Sequence, residues 1–470
     1  MPVQPSFADS LAGYQALESF LEAGRQLADH SQTDRCISLA FDSPNLDPLA
    51  ILQKLESGNQ LTFYYENKAE NLAIAAIDHV ALFESDQADR FQAARQFSER
   101  CFATALGWNP LELPYGDPHL FCGFTFFNRD RRHERTFPSC TLFLPRWQVT
   151  RHDHGTTIVR NVMVRGTTAV GALAQEVGSE IEALMRSHHQ VIPAIGSRDR
   201  QVDRHNIDRF KATVTDVLDT IQQGRLDKAV LSHAVDVTAP QAFDAVNSLQ
   251  NLRRRYGDCH LFSVGNRWGQ RFIGASPERL FAIRQRRLVA DALAGSAPRG
   301  ATALADLSHA EELRSSPKEV REHRVVVDFL LDRLGGLGIT PEPIEPIRLL
   351  QLSNIQHLWT PIYANLTADV HPLQLVEQLH PTPAVAGSPQ SVAYREIRRH
   401  EQFDRLLFAA PIGWFDAEGN ASFLVGIRSA LLDGCRARLY AGAGIVAGSQ
   451  PDRELAEIEL KLRTTIDSLI

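Results

Sequence analysis

The sequence predicts an α+β protein whose sheets are mainly antiparallel. Short β-rich runs are joined by hairpin-type turns, as at Asp433-Gly434. Amphipathic helical stretches lie between groups of strands and do not follow every strand. Because strands grouped by hairpins depart from the strict alternation of a parallel βαβ fold, we expect antiparallel pairing. The 470 residues, 44% of them hydrophobic, suffice for a large core.

Residues 1–195 are expected to form a β-rich region that belongs to the same compact unit as the rest of the chain. The predicted strands are Leu61–Tyr65, Leu120–Phe127, Cys140–Leu144 and Thr156–Val164. The predicted helices are Ser10–His30, Ala88–Ala105 and Ala169–Gln190. The polar stretch Gly196–His205 marks a candidate boundary.

Residues 206–470 show a mixture of hairpins and helices. The predicted helices are Ile207–Gly224, Phe243–Tyr256, His309–Leu334 and Pro451–Ile470, the third of them with a break or restart at Pro317. The predicted strands are Lys228–Val237, His260–Val264, Arg271–Ile273, Arg279–Val289 and Ile355–Leu366. A β-meander is predicted for Gly413–Ile445, with a first turn at Asp416–Asn420.

Charge and cysteine usage exclude several classes of function. The net charge of −7 does not indicate a surface that binds nucleic acid or an anionic membrane. The basic clusters Arg253–Arg255 and Arg129–Arg135 are short and typical of solvated faces. The six cysteines lack metal or redox spacing, which indicates reduced thiols. There is no signal-peptide pattern and no apolar run of about 18 residues. We expect a soluble, cytoplasmic protein, and its oligomeric state stays open, a monomer included.

Two predicted helices carry acidic pairs at the same spacing. Glu319 and Glu322 are three residues apart, as are Glu454 and Glu457. Residues at i and i+3 share a helix face, so facing helices would bring four carboxylates together, a donor set that suits Mg²⁺. On spacing alone, solvated acidic faces are the commoner explanation, and Glu457 with Lys461 is an ordinary i,i+4 ion pair.

Three glycine-rich segments, Gly295–Gly300, Gly387–Pro389 and Ala441–Ile445, are predicted to be turns. Glycine would let their backbone N–H groups approach an anion. None matches a phosphate loop or a dinucleotide fingerprint, so ATP and dinucleotides are disfavoured. A carboxylate ligand remains open.

Nine segments follow one another between residues 206 and 470: LDKAVLSHAVDV from Leu226, IGASPERLF from Ile273, ALAGSAPRG from Ala292, SPKEVREH from Ser316, IQHLWTPI from Ile355, LHPTPAVAGSP from Leu379, FDRLLFAAPIGWFDAEGN from Phe403, LVGIRSALL from Leu424 and LYAGAGIVAGSQPDRELAEIELK from Leu439. In this order they resemble the chorismate-utilising enzymes, which include anthranilate, aminodeoxychorismate, isochorismate and salicylate synthases. The resemblance implies a chorismate-binding catalytic domain at 206–470. It also implies a sandwich-like core of large antiparallel sheets with helices packed outside.

The resemblance implies a magnesium site on the two acidic helices. Glu322 and Glu457 resemble the direct ligands, and Glu319 and Glu454 resemble partners that act through metal-bound water. The metal in this family binds the ring carboxylate of chorismate. Other residues resemble the substrate-binding groups of the family, with Arg428 at the enolpyruvyl carboxylate and His357 near the leaving hydroxyl. The remaining substrate-binding positions are Gly295, Ser296, Ala384, Phe408, Gly442, Gly444 and Lys461.

The acid and the base follow from the same resemblance. Forming isochorismate requires water to add at C2 of chorismate while the C4 hydroxyl leaves. Lys228 resembles the general base and Glu278 the general acid, so both need pKa values moved toward 7. Without the resemblance, Lys228 would be a surface lysine at a strand end, Glu278 a turn glutamate and His357 a core histidine.

A few positions favour one branch of the family. Lys228 stands where aminating members have glutamine, Ala384 where anthranilate-type members have threonine, and Phe408 where salicylate synthases tend to have tyrosine. Ile427 also fits an isochorismate synthase. His233 stands where the family usually has arginine, and the effect of this difference on local packing or on substrate polarity stays open.

Three alternatives to isochorismate synthesis remain: a salicylate synthase, an ammonia-dependent synthase and an inactive chorismate-binding protein. The product could serve quinone, siderophore or salicylate synthesis. The long N-terminal region favours menaquinone or phylloquinone.

Overall fold

The computed structural model describes residues 11–43, 45–128, 136–186, 190–193, 200–203, 207–367 and 370–470. The basic cluster at 129–135 lies outside the described residues, as does most of the predicted boundary at 196–205. In the described part of the chain, no helix is long and apolar enough to cross a membrane.

The helices in the described ranges are α1 Leu11–Ser31, α2 Pro48–Leu55, α3 Arg90–Thr104, α4 Val170–Met185, α5 Ile207–Gln222, α6 Ala245–Arg255, α7 Ala303–Ser315, α8 Pro317–Gly336, α9 Pro372–Leu379, α10 Gln390–His400 and α11 Pro451–Ile466. The predicted break at Pro317 is confirmed, because α7 ends and α8 begins there. Proline suits the first turn of a helix, where its missing N–H costs no hydrogen bond.

The first ten strands are β1 Arg35–Ser43, β2 Thr62–Asn67, β3 Leu72–Ile77, β4 Ala81–Ser85, β5 Ala105–Trp108, β6 His119–Phe124, β7 Cys140–Leu144, β8 Trp147–His152, β9 Gly155–Val164 and β10 Gln201–Asp203. The later strands are β11 Lys228–Thr238, β12 His260–Gly265, β13 Arg271–Ser276, β14 Arg279–Arg284, β15 Arg287–Pro298, β16 Arg348–Gln351, β17 Ile355–Asn365, β18 Gly387–Ser388, β19 Pro411–Asp416, β20 Ala421–Val425, β21 Ser429–Asp433 and β22 Arg436–Val446.

These strands form two large sheets. The larger has 13 strands in the order β10-β11-β22-β21-β13-β12-β2-β3-β8-β9-β1-β5, with β18 added beside β11. The smaller has nine strands in the order β16-β17-β15-β14-β20-β19-β6-β7-β4. Among the described strands only β1 and β5 pair in parallel. The predicted α+β class with mainly antiparallel sheets is therefore confirmed.

Strands from both halves of the sequence share each sheet. In the larger sheet β2 pairs with β12, and in the smaller sheet β6 pairs with β19. One hydrophobic core fills the space between the sheets, where the rings of Phe63 and Phe121 lie 5.0 Å apart. A second core lies between the larger sheet and helices that include α1, α4, α5 and α11.

Three predictions of local structure were wrong. The strand expected at Arg279–Val289 is a hairpin whose turn residues Gln285 and Arg286 both have positive φ, a conformation that glycine or asparagine would have signalled. The meander is split, because β19 and β20 lie in the smaller sheet and β21 and β22 in the larger. The glycine-rich segments lie mainly in strands: residues 295–298 in β15, Gly387–Ser388 in β18 and residues 441–445 in β22.

Candidate active site

A cavity lies where β15, β17 and β22 meet the first turns of α8 and α11. Its lining combines apolar side chains with a few charged ones, as is typical of sites for small organic ligands. Fourteen of the fifteen residues that the sequence singles out line it: Glu278, Gly295, Ser296, Glu319, Glu322, His357, Ala384, Phe408, Arg428, Gly442, Gly444, Glu454, Glu457 and Lys461. The fifteenth, Lys228, lies behind the wall and contacts Glu322.

The start of α8 aims its two glutamates into the cavity. Ser316 is the N-cap residue, and its side chain accepts a hydrogen bond from the backbone N–H of Glu319 at 3.4 Å. Pro317 occupies the first helical position, as Pro451 does in α11. The Ser316 cap and the two prolines favour helical first turns, in which the i,i+3 spacing places Glu319 and Glu322 on one face, as it does Glu454 and Glu457.

Lysine ammonium groups balance the four glutamates. Lys228 Nζ donates to Glu322 Oε1 at 2.6 Å, and Lys461 Nζ donates to Glu457 Oε1 at 2.6 Å. Lys461 also donates to the carbonyl oxygen of Gly442 at 2.9 Å. A third lysine, Lys318, lies near both remaining glutamates, at 3.5 Å from Glu319 Oε1 and 3.9 Å from Glu454 Oε1.

The four carboxylates influence one another across the two helices. Burial and the neighbouring charges of Glu322 and Glu457 raise the pKa of Glu319. Burial raises the pKa of Glu454, which the charges of Glu457 and Glu322 raise further. Burial also opposes ionisation of Glu322, but Lys228 outweighs it and the pKa of Glu322 is lowered. The carboxylates of α8 and α11 therefore belong to one electrostatic cluster.

The chemistry of this cluster fits a magnesium ion. Its donors are hard carboxylate oxygens, of which Mg²⁺ takes only one or two directly. Gly444 leaves room for them, because a Cβ atom there would lie 2.7 Å from Glu322 Oε1. Within the described residues, no three or more histidine, cysteine, aspartate or glutamate side chains are already grouped as a metal site. In this structure the four carboxylates contact lysine ammonium groups instead of converging on one point.

Glu278 is a buried acid in the same cavity. It follows Ser276 at the end of β13, and its backbone N–H donates to Ser276 Oγ at 3.2 Å. Its carbonyl oxygen accepts from the N–H of Val425, which ties it to β20. The residue is 4% exposed, and burial raises the pKa of Glu278 to about 8, against the opposing charge of Lys228. Glu278 is therefore mainly protonated at neutral pH.

Ser296, His357 and Arg428 form a hydrogen-bonded chain along one wall. Arg428 Nη2 lies 2.9 Å from His357 Nε2, and His357 Nδ1 lies 3.1 Å from Ser296 Oγ. Because a guanidinium can only donate, His357 accepts at Nε2 and carries its proton on Nδ1. Burial and the charge of Arg428 hold the pKa of His357 well below its usual range. The imidazole is therefore neutral.

Sequence reasoning missed two residues that shape the cavity, Lys318 and Arg405. Arg405 is 1% exposed, donates to the carbonyl oxygens of Val385 and Val230, and forms an ion pair with Glu401 at 2.6 Å. It thus fixes the backbone on two sides of the cavity. Arg405 lies in the FDRLLF segment and Lys318 in SPKEVREH, but their long-range contacts leave no local signal.

Three of the four positions that favour one branch of the family lie on the cavity wall, whereas Lys228 and His233 do not. Phe408 stacks on Tyr440 with ring centroids 5.2 Å apart and an interplanar angle of 14°. Ala384 and Ile427 also line the cavity. His233 packs against Phe210 of α5 with ring centroids 5.8 Å apart, outside the cavity. The departure at His233 therefore concerns packing.

The fold and the cavity together bring a buried acid and a carboxylate cluster to one concave space, an arrangement typical of an enzyme active site. The chain belongs to the family described as chorismate binding enzyme, which it matches over residues 20–470.

Curated relatives cover most of the chain. It is 32% identical over 440 residues to the salicylate biosynthesis isochorismate synthase of Pseudomonas aeruginosa, which covers 92% of this chain and 90% of that protein. It is 30% identical over 445 residues to the isochorismate synthase MenF of Bacillus subtilis, covering 92% of this chain and 93% of the relative.

Solved structures resemble the whole chain. The menaquinone-specific isochorismate synthase of Escherichia coli superposes with a TM-score of 0.73 at 26% identity, covering 95% of this chain and 100% of that one. Anthranilate synthase component I of Streptococcus pneumoniae superposes with a TM-score of 0.67 at 19% identity, covering 89% of this chain and 97% of that one. At this identity the likeness supports the fold alone.

Proposed function

We propose that this protein is an isochorismate synthase, which converts chorismate reversibly to isochorismate with the help of Mg²⁺. Water adds at C2 of the ring and the C4 hydroxyl leaves. The observation that carries the proposal is the buried carboxyl of Glu278, whose pKa of about 8 keeps it protonated beside the carboxylate cluster. The two relatives that match most of the chain carry isochorismate synthase in their names.

Glu278 acts as the general acid in this proposal. A departing hydroxyl is a poor leaving group until it receives a proton, and a carboxyl that is protonated at neutral pH can supply one. Burial in the cavity wall supplies this property, since it penalises the ionised form. The neutral imidazole of His357, fixed by Arg428 and Ser296, would orient the same hydroxyl.

Lys228 acts as the general base that removes a proton from the attacking water. A base has to be neutral, so the ion pair with Glu322 has to open and the ammonium proton of Lys228 has to pass to water before chorismate reacts. Lys228 can then accept the proton of the attacking water. The lysine is 2% exposed, which leaves bulk water little access to it. The proposal therefore requires Glu322 to release Lys228 before the reaction, as it would if it held a magnesium ion instead.

Glu322 and Glu457 would hold the magnesium ion directly, with Glu319 and Glu454 contacting it through water. When bound, the ion would supply the positive charge that fixes the ring carboxylate of chorismate. Lys461 would keep the β22 backbone at Gly442 in place through its hydrogen bond to that carbonyl. Arg428 would bind the enolpyruvyl carboxylate, for which a planar guanidinium is suited.

The proposed product is isochorismate, without further elimination of pyruvate. Phe408 offers a ring without a hydroxyl at the position where salicylate synthases tend to have tyrosine, and it stacks on Tyr440. The metabolic destination is proposed to be a quinone such as menaquinone or phylloquinone. A salicylate pathway is the second candidate, because the Pseudomonas relative named for it also spans most of the chain. All six cysteines are free thiols, which supports a cytoplasmic location.

Product identification tests this function. Purified protein is incubated with Mg²⁺ and chorismate, and separately with isochorismate, and the products are separated by chromatography. Each compound should form from the other. Release of pyruvate and salicylate would identify a salicylate synthase, and turnover only with ammonia would identify an aminating enzyme. Binding of chorismate with no turnover would indicate an inactive binding protein.

A further inference from the structure

Lys318 contacts one glutamate on each of the two acidic helices. It lies in the first turn of α8, and its Nζ is 3.5 Å from Glu319 Oε1 and 3.9 Å from Glu454 Oε1 of α11. Its side chain lines the cavity and is 41% exposed. Lys318 is thus a cation between the two helices, at the point where they approach each other.

The three lysines of the cluster are not held equally. Lys228 and Lys461 each contact a single carboxylate at 2.6 Å, and their side chains are 3% and 20% exposed. Lys318 shares two carboxylates at longer distances and is the most exposed of the three. Exposed ion pairs at such distances contribute little free energy, and a long lysine stem can swing toward solvent. Lys318 is the ammonium group that can leave most easily.

The charges of the cluster explain why Lys318 would have to move away from the carboxylates when a divalent cation binds. Four glutamates and three lysines give the cluster one net negative charge when all are ionised. Lys318 interacts with all four carboxylates, which act together to keep it charged. A divalent cation bound to the same carboxylates would be repelled by an ammonium group only a few ångströms away.

We propose that Lys318 is a displaceable counter-ion that competes with the divalent cation for Glu319 and Glu454 and thereby sets the affinity of the metal site. The inference rests on the magnesium site of the proposed function, and it holds whichever chorismate product is formed. Lys318 is a positioning residue in this scheme, since it acts through the two glutamates.

Manganese binding to the full-length protein tests the inference. Free Mn²⁺ is measured by electron paramagnetic resonance at pH 8 for the wild type, Lys318→Met and Lys318→Arg. Lys211→Met is the matched control, because Lys211 pairs with Asp452 of α11 at 2.6 Å outside the cavity. Lys318→Met should bind Mn²⁺ about fivefold more tightly, as expected for loss of a competing ion pair worth roughly 1 kcal/mol. Lys318→Arg and the control should stay near the wild type.

Thermal unfolding in EDTA provides a second measurement. Lys318→Met should melt at a lower temperature than the wild type, because Glu319 and Glu454 lose their shared counter-ion. Unchanged or weaker Mn²⁺ binding by Lys318→Met would overturn the inference, as would a higher melting temperature of this variant in EDTA. If neither the wild type nor Lys318→Met binds Mn²⁺, both the proposed metal site and the inference are wrong. If Mn²⁺ binding follows the expected order but chorismate is not converted, only the proposed reaction fails.

Discussion

Glu278 should determine how the reaction rate falls at alkaline pH. Its carboxyl is buried at 4% exposure, and burial raises its pKa to about 8. A group with this pKa is about 90% protonated at pH 7 and about 10% protonated at pH 9. An ordinary glutamate with a pKa of about 4.5 would be less than about 1% protonated at pH 7. The buried site therefore raises the acid form at neutral pH by more than about a hundredfold.

The assay is kcat/KM for chorismate conversion between pH 6 and pH 10 at saturating Mg²⁺, because kcat/KM reports the pKa values of the enzyme without chorismate. The rate should fall about tenfold per pH unit above pH 8 as Glu278 loses its proton. Glu278→Gln should lose roughly 10²- to 10⁴-fold in kcat/KM and should lack this decline. Glu459→Gln, on α11 but outside the cavity, is the matched control and should behave as the wild type. A wild-type rate that stays constant to pH 9.5 would refute the reasoning.

The same shift in pKa predicts how stability depends on pH. The pKa of folded Glu278 lies above the value of about 4.5 in the unfolded chain, so stability is retained below pH 4.5 and lost as the pH rises toward 8. Between pH 6 and pH 9 the free energy of unfolding should fall by roughly 3 kcal/mol, which corresponds to a shift of about two pKa units. Glu278→Gln avoids the loss, so urea unfolding should show its stability relative to the wild type rising by about that amount. An equal difference at both pH values would contradict the shift.

The remaining predictions concern the base, the metal cradle and the buried arginine. Lys228→Ala should lower kcat by about 10²-fold or more, and it should also destabilise the protein by about 3–5 kcal/mol, because it leaves the largely buried carboxylate of Glu322 unpaired. Product formation by chromatography, at a temperature at which circular dichroism shows the variant to be folded, checks the loss of activity. Gly444→Ala should weaken Mg²⁺ binding by at least about tenfold in titration calorimetry, because its Cβ atom would lie 2.7 Å from Glu322 Oε1. Gly335→Ala on α8 is the control and should leave Mg²⁺ binding unchanged, because a Cβ atom there meets nothing within 4 Å. Arg405→Met should destabilise the protein by about 3–5 kcal/mol in urea unfolding, since it leaves a buried carboxylate unpaired.

Local patterns in the sequence were enough to predict several features of the site. The i,i+3 spacing placed Glu319 with Glu322 on one helix face, and Pro317 correctly predicted where α8 begins. These features depend on residues within one or two turns. The ordered motifs added the expectation that α8 and α11 face each other, and the carboxylates of the two helices do affect one another.

Features that depend on distant contacts were not predictable in this way. The pairing of Lys318 with Glu454 joins two helices that are far apart in the chain. Burial of Glu278, which raises its pKa, is created by the packing of both sheets around it. Gly295 and Gly444 suggested turns because glycine is common there, yet both lie in strands, where their missing side chains leave room for Glu319 and Glu322.

Isotope labelling tests the central claim most directly. The reaction is run with chorismate and Mg²⁺ in water enriched in ¹⁸O, and the product is analysed by mass spectrometry. Addition of water at C2 with loss of the C4 hydroxyl predicts isochorismate that carries one ¹⁸O atom, and Lys228→Ala should form it at least about 10²-fold more slowly. Isochorismate without the label would contradict the account, because the hydroxyl would then have moved within the molecule.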